Sequence, residues 1–129
     1  MLDNSSLLDF LRKSPTPFHA VSEMQKLLLA VGFTKLNEAQ DWAGLAPGKY
    51  VIERDGSIIA VVVGRQDVST TGLRMFGAHT DSPCLKVKPH ANLSGKGYFQ
   101  LGVEVYGGAL LAPGFDRDLS LAGRIHARI

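Results

Sequence analysis

Cysteine is almost absent from this sequence: Cys84 is the only one among 129 residues. No intrachain disulfide can form, and a chain without that cross-link suits a reducing, cytoplasmic compartment. Long hydrophobic runs are missing too. Ile58-Ile59-Ala60-Val61-Val62-Val63 is among the longest and is far too short to cross a bilayer, so no membrane role is expected. An excess of one charge is also lacking. A net charge of +2 leaves neither a basic stripe nor an acidic tail, which removes the electrostatic basis for binding nucleic acid. Met1-Leu2-Asp3-Asn4 has neither the basic start nor the apolar core of a secretory signal. Repeats and low-complexity tracts are absent. Gly95-Lys96-Gly97 lacks the spacing of a phosphate loop, and no serine sits in a nucleophile elbow.

What is present reads as a soluble globular sequence, with 45% hydrophobic residues and the length of one domain or one lobe of a larger one. The pattern predicts an α/β fold. A first helix over about 6–13 is expected, with Ser6 as N-cap, Asp9 three residues on, and an apolar stripe of Leu7, Leu8 and Leu11. Ser14-Pro15-Thr16-Pro17 interrupts it and launches a second helix, capped by Thr16 with Pro17 in the first turn. Phe18, Val21, Met24, Leu28 and Val31 form its packing face, and Gly32 ends it.

Strands follow. Residues 49–54 and 57–64 flank Asp55-Gly56, a two-residue hairpin signal. The second of these is almost continuously apolar, which predicts burial on both faces inside a sheet. Residues 73–78 read as another strand, and the apolar alternation of Phe99, Leu101, Val103 and Val105 as a further one. Gly107-Gly108 and Pro113-Gly114 mark turns. Residues 119–129 carry a last strand pattern, with Leu121, Gly123, Ile125, Ala127 and Ile129 on one side. The chain stops inside it, which reads as truncation.

The most informative stretch is Gly77-Ala78-His79-Thr80-Asp81-Ser82-Pro83. On an extended segment, residues two apart share a face, so His79 and Asp81 can act on one object. A metal-bound imidazole needs an acceptor for its other ring N–H, and a carboxylate fixes its tautomer and raises its basicity. His79 is thus a candidate metal ligand, with Asp81 orienting it or sharing the coordination. A surface histidine beside an acid remains the plainer reading of a lone His-x-Asp.

Other residues add little to such a site. His19 reads as a packing or capping residue, His90 as an exposed loop histidine, and His126 as solvated or facing an interface. Glu104 and Tyr106 share a strand face. Asp116-Arg117-Asp118 places a cation between two carboxylates, which favours an ion-pair network over metal binding. Cys84, within Cys84-Leu85-Lys86-Val87, reads as a buried structural thiol. No histidine stands at a ligand spacing from His79, and no adjacent acidic pair offers both a ligand and a base.

Four blocks in order then carry a resemblance: SPTPFHA (14–20), GAHTDSPCLKVK (77–88), GVEVYGG (102–108) and FDRDLSLAG (115–123). Across essentially its whole length the chain resembles the M18 metallo-aminopeptidases, specifically the aspartyl aminopeptidase group in its bacterial form. The resemblance implies a cytosolic enzyme with a two-zinc site that removes N-terminal, preferentially acidic, residues from peptides. It matches His79 to the family's metal-binding histidine and Asp81 to the catalytic aspartate that supports it. It implies residues 1–88 as the start of the catalytic α/β domain, helices on a mixed sheet. Residues 89–129 would begin an inserted β-rich dimerisation domain. The bridging aspartate, the glutamate base and the other ligands lie further along in the longer family chains, so this stretch alone is expected to be inactive. Family members build large dodecameric particles from dimers. Gly114 departs from the pattern, where the family commonly has tryptophan, and that puts assembly in doubt more than metal chemistry. Two rivals stand beside this reading: a non-catalytic interaction module of the same family, and a single-metal binding protein built on His79, Asp81 and one of the loop acids.

Overall fold

A computed structural model describes residues 4–128 of the chain. Its contacts divide it into two units. The first runs to Thr80 and resumes at Ala122, and the second is Asp81–Leu121.

The first unit opens with α1 (Ser5–Lys13), whose N-cap is Asn4 rather than Ser6 and makes no side-chain capping bond. Ser6 instead lies within the first turn. Asp9 pairs with Lys13 at 2.6 Å, four residues along the same helical face. The expected stripe of Leu7, Leu8 and Leu11 forms, yet all three stay more than half exposed. The second helix, α2 (Pro17–Ala30), starts as the sequence indicates. Thr16 is extended, Pro17 occupies the first turn, and the Thr16 hydroxyl accepts the His19 N–H at 3.4 Å. It ends in a Schellman arrangement. Phe33 N–H donates to Leu28 C=O and Gly32 N–H to Leu29 C=O, both at 3.1 Å, with Gly32 at φ +86°.

A three-stranded mixed sheet follows, in the order β1-β2-β3. Strand β1 (Thr34–Lys35) runs parallel to β2 (Gly48–Arg54), and β2 pairs antiparallel with β3 (Ser57–Val63) down to Arg54 opposite Ser57. The Asp55-Gly56 turn closes that hairpin, with Asp55 at φ +51°. The helix α2 packs on β2 and β3. The core of the described residues is small: Ala20 and Val21 from α2, Val51 and Ile52 from β2. The mixed sheet with α2 packed on it bears out the α/β expectation.

Several expectations need correction. Strand β3 lies at the sheet edge, not in the interior. Ile59 and Val62 are 63% and 67% exposed, because no described strand pairs with β3 beyond β2. Residues 73–78 form no strand, and Phe76 is fully exposed. The apolar residues are there, but a strand exists only through a paired ladder, and no partner meets this one. A short helix, α3 (Val68–Thr71), comes before it, capped by the Asp67 side chain on Ser69 N–H at 2.8 Å.

The second unit is a β-ribbon. Strands β4 (Cys84–Gly95) and β5 (Tyr98–Tyr106) pair antiparallel from Cys84 opposite Tyr106 to Gly95 opposite Tyr98. Lys96 and Gly97 turn the chain with φ of +51° and +80°, and positive φ at both central residues suits the twist of a tight hairpin. The register shifts between Val87 and Asn92. Proline cannot donate to a ladder, so Pro89 falls within that irregular stretch. His90 is thus part of β4, not of a loop. Gly102 is buried opposite the bulge, where an added Cβ would lie 3.4 Å from Ala91 C=O. Beyond β5 a single 3-10 turn covers Ala112–Gly114. The strand expected over 119–129 does not form among the described residues, and Ile129 lies outside them. Ile125, at 92% exposed, has nothing to pack on.

Two predictions follow from this packing. Four buried side chains are few against the cost of ordering so long a backbone. The 129-residue chain by itself is expected to bind the dye ANS strongly and to melt without a cooperative transition. A sharp two-state transition with no dye binding contradicts that. The second concerns Glu53, which accepts from Lys35 at 2.8 Å and from Gln25 at 2.6 Å. The Lys35 hydrogen bond, ahead of the Gln25 bond and the Lys35 charge and against partial desolvation, holds its carboxyl below the ordinary range. A lowered folded pKa contributes stability that is complete above the unfolded value, near 4.5, and is lost as pH falls through the folded value. The gap in thermal midpoint between the full-length protein and its Glu53→Gln variant should therefore shrink as pH drops below that value. A gap that stays constant there rules the pair out as a contributor.

Candidate functional site

The Asp55-Gly56 turn is where the first unit concentrates its specific contacts. Gly56 sits against the start of α2, and a Cβ built on it would lie 3.4 Å from Pro17 Cβ and 3.9 Å from the Phe18 ring. The Gly56 carbonyl accepts the Thr80 hydroxyl at 2.7 Å in a half-buried setting. Arg124 reaches the same turn, donating to Asp55 Oδ1 at 3.0 Å, with its guanidinium 4.1 Å from the centre of the Phe18 ring. Thr80 is the residue after His79. The hydroxyl contact fixes the chain at that point although residues 72–79 have no regular structure. His79 itself is exposed at the end of the first unit. It stands on an irregular segment, not at the end of a buried strand.

Asp81 opens the second unit and is half-buried. The Tyr106 hydroxyl donates to its Oδ2 at 2.6 Å. That hydrogen bond first, and the carboxylate's charge second, raise the Tyr106 phenol above its ordinary value. The Lys86 ammonium stands 5.4 Å from the centre of the Tyr106 ring, on the neighbouring strand. After Tyr106 the chain turns at Gly107, φ +65°, whose open side faces Pro83 at about 3.5 Å from an added Cβ. The sequence pattern puts Tyr106 on a face with Glu104 and gives no link to Asp81. The only available signal was the tyrosine at the end of an alternating strand, and spacing does not give the register that aims it.

The remaining candidates are scattered. His19 caps: its Nδ1 lies 2.7 Å from the Thr16 hydroxyl. The exposed residues Asp116, Arg117 and Asp118 form no ion pair among the described residues of this chain. Three consecutive side chains on an irregular, solvated segment have no geometry that holds them to one another. Cys84 is exposed, contrary to the buried thiol expected. It begins a ribbon strand on which nothing described packs. An open concavity of about 500 Å³ is lined by Lys35, Leu36, Asn37, Glu38, Gln40 and Glu53. Its charges are already paired, Lys35 with Glu53 and Glu38 with Arg54 at 2.8 Å each.

Catalytic zinc takes three protein ligands and keeps one position for water. Among the described residues no three His, Cys, Asp or Glu side chains gather to hold a metal ion. One imidazole and one carboxylate from 77–83 do not fit a zinc ion by themselves. No described helix is long and apolar enough to cross a membrane.

Comparison with known proteins gives consistent findings. The family model described as Aminopeptidase I zinc metalloprotease (M18) matches residues 10–129. A Pseudomonas putida (strain GB-1) protein named probable M18 family aminopeptidase 2 is 56% identical over 126 residues, which is 97% of this chain and 29% of that protein. Its namesake in Azotobacter vinelandii is 54% identical over the same shares. The chain thus spans under a third of the curated relatives it matches. Among solved structures, mApe1 of Chaetomium thermophilum is 37% identical with a TM-score of 0.79, covering 89% of this chain and 27% of that one. The mApe1 dodecamer of S. cerevisiae is 31% identical, also at 0.79, covering 88% of this chain and 27% of its own.

Proposed function

This chain belongs to the M18 family of zinc metalloproteases, and on that premise we propose that it is the N-terminal part of an aminopeptidase. The full-length protein hydrolyses the first peptide bond of its substrates and prefers acidic N-terminal residues. The observation that carries this is the position of GAHTDSP (77–83) inside the matched span, 10–129, with its histidine exposed and the next residue anchored.

In this reading His79 contributes one imidazole to a two-zinc site, and Asp81 is the carboxylate that sets its tautomer and orientation. The other ligands, the bridging carboxylate and the general base come from the larger share of the protein outside this chain. The zinc ions supply Lewis-acid polarisation of the scissile carbonyl when bound. What this chain's own residues do is hold the histidine's neighbours. Thr80 is fastened to Gly56 C=O, and Asp81 receives the Tyr106 hydroxyl. Residues 1–88 begin the catalytic domain and 89–129 begin an insert devoted to dimer contacts. In contact terms the compact second unit already starts at Asp81. The protein works in the cytoplasm as a dodecamer, as mApe1 is in its solved assembly. Peptides are its substrates, and neither nucleic acid nor membrane is a partner.

A second reading has its own support. The exposed Ile59 and Val62 on an unpaired sheet edge, and the apolar ribbon of β4 and β5, suit a non-catalytic assembly module.

The test uses both lengths. In the full-length protein, His79→Ala is expected to lower bound zinc and to cut turnover of an aspartyl- or glutamyl-anilide by at least about 100-fold. Unchanged zinc stoichiometry would sink the ligand assignment. The 129-residue chain alone is expected to show no turnover, and chelator-sensitive turnover by it contradicts an incomplete site.

A further inference from the structure

We propose that Tyr106 is a positioning residue for Asp81, holding its carboxylate in one orientation through the hydroxyl while the ribbon holds the ring. The proposal rests on the reading of Asp81 as the carboxylate that supports His79, and adds a residue which that reading does not contain.

The geometry is local to the second unit. Tyr106 is the last residue of β5 and stands directly opposite Cys84, so it faces the point where the chain leaves Asp81-Ser82-Pro83 and enters β4. Its hydroxyl meets Asp81 Oδ2 at 2.6 Å, within the range of a short charge-assisted O–H···O bond. Two further features bear on the donor's position, one at the ring and one in the backbone behind it. The Lys86 ammonium stands over one face of the ring at 5.4 Å, and Lys86 is itself held in register opposite Glu104. The backbone immediately after Tyr106 passes close to Pro83 at Gly107, where φ is +65° and an added Cβ would come within about 3.5 Å of the proline ring. The donor is thus placed by strand pairing, by the cation on its ring and by the close backbone passage behind it. A carboxylate in water turns about its Cβ–Cγ bond. With Oδ2 engaged by a donor fixed in this way, the plane of the group is set, and so is the direction in which Oδ1 accepts.

An orienting bond of this kind acts on the chemical step more than on substrate binding, because Tyr106 is given no contact with substrate. Phenylalanine keeps the ring, its packing and the Lys86 contact, and removes only the hydroxyl. Tyr106→Phe is therefore expected to fold and assemble as the parent does.

The experiment is a double-mutant cycle in the full-length, zinc-loaded protein with Tyr106→Phe, Asp81→Asn and the pair. It reads kcat and KM on an acidic aminoacyl-anilide, together with zinc retention against a competing chelator. Tyr106→Phe is expected to lower kcat about 10- to 100-fold and zinc retention about tenfold, with KM within about twofold. In the Asp81→Asn background the same change is expected to cost less than about twofold, since the carboxylate that Tyr106 would orient is gone. Full activity in Asp81→Asn overturns the underlying assignment of Asp81. A loss in Asp81→Asn with Tyr106→Phe indistinguishable from the parent overturns the positioning role alone. Equal losses from Tyr106→Phe in both backgrounds mark a packing effect and overturn it as well.

Discussion

The first unit depends on one backbone carbonyl. Gly56 C=O belongs to a two-residue hairpin turn that the β2–β3 ladder leaves outside its own pairing, and Thr80 supplies the donor it needs. Around the same turn lie the start of α2 and the side chain of Arg124, which bridges Asp55 and the Phe18 ring. A hairpin turn is usually a free tip. Here it anchors residues 17–18, 80 and 124, which are remote from one another in sequence. The small side of Gly56 matters to this, because Pro17 already stands at contact distance from any Cβ placed there.

That contact gives the irregular segment that carries His79 a fixed point beside the histidine. A side chain at the end of a buried strand inherits its position from the ladder. Residues 72–79 have no ladder, and a fixed point next to them is the Thr80 hydroxyl on Gly56 C=O. One hydrogen bond restrains less than a strand does. The segment before it keeps Met75 and Phe76 in solvent, which is unfavourable for groups of that size unless another surface covers them. The chain spans under a third of the length of the relatives it matches. Those relatives therefore have ample chain from which such a cover can come.

How much could be read from sequence follows the same division. Local signals were legible: the Pro17 start and Gly32 stop of α2, and the Asp55-Gly56 hairpin, because each is set by dihedral preference and near-neighbour hydrogen bonds. Alternation also placed β5. Signals that need a distant partner were not. Residues 73–78 and 119–129 have the composition of strands, but composition supplies a face and not a ladder. Cys84 lies among apolar residues and is exposed, for burial belongs to what packs on a strand and not to the strand. The candidate site divides likewise. His79 and Asp81 stand out in the motif, whereas Tyr106 depends on which strand residue falls opposite Cys84.

The contact between Tyr106 and Asp81 is better explained by orientation than by stability. An exposed hydrogen bond competes with water at both partners, so its net contribution to folding is small even when it is short. The ring cation and the close passage at Gly107 add to the precision of the donor's position and little to the hydrophobic burial. The hydrogen bond, the cation over the ring and the close backbone passage together suit a fixed direction for the acceptor. Under the proposed role of Asp81 as acceptor for the His79 ring N–H, direction is the property that counts. The same carboxylate left free in solvent would spend most orientations pointing elsewhere.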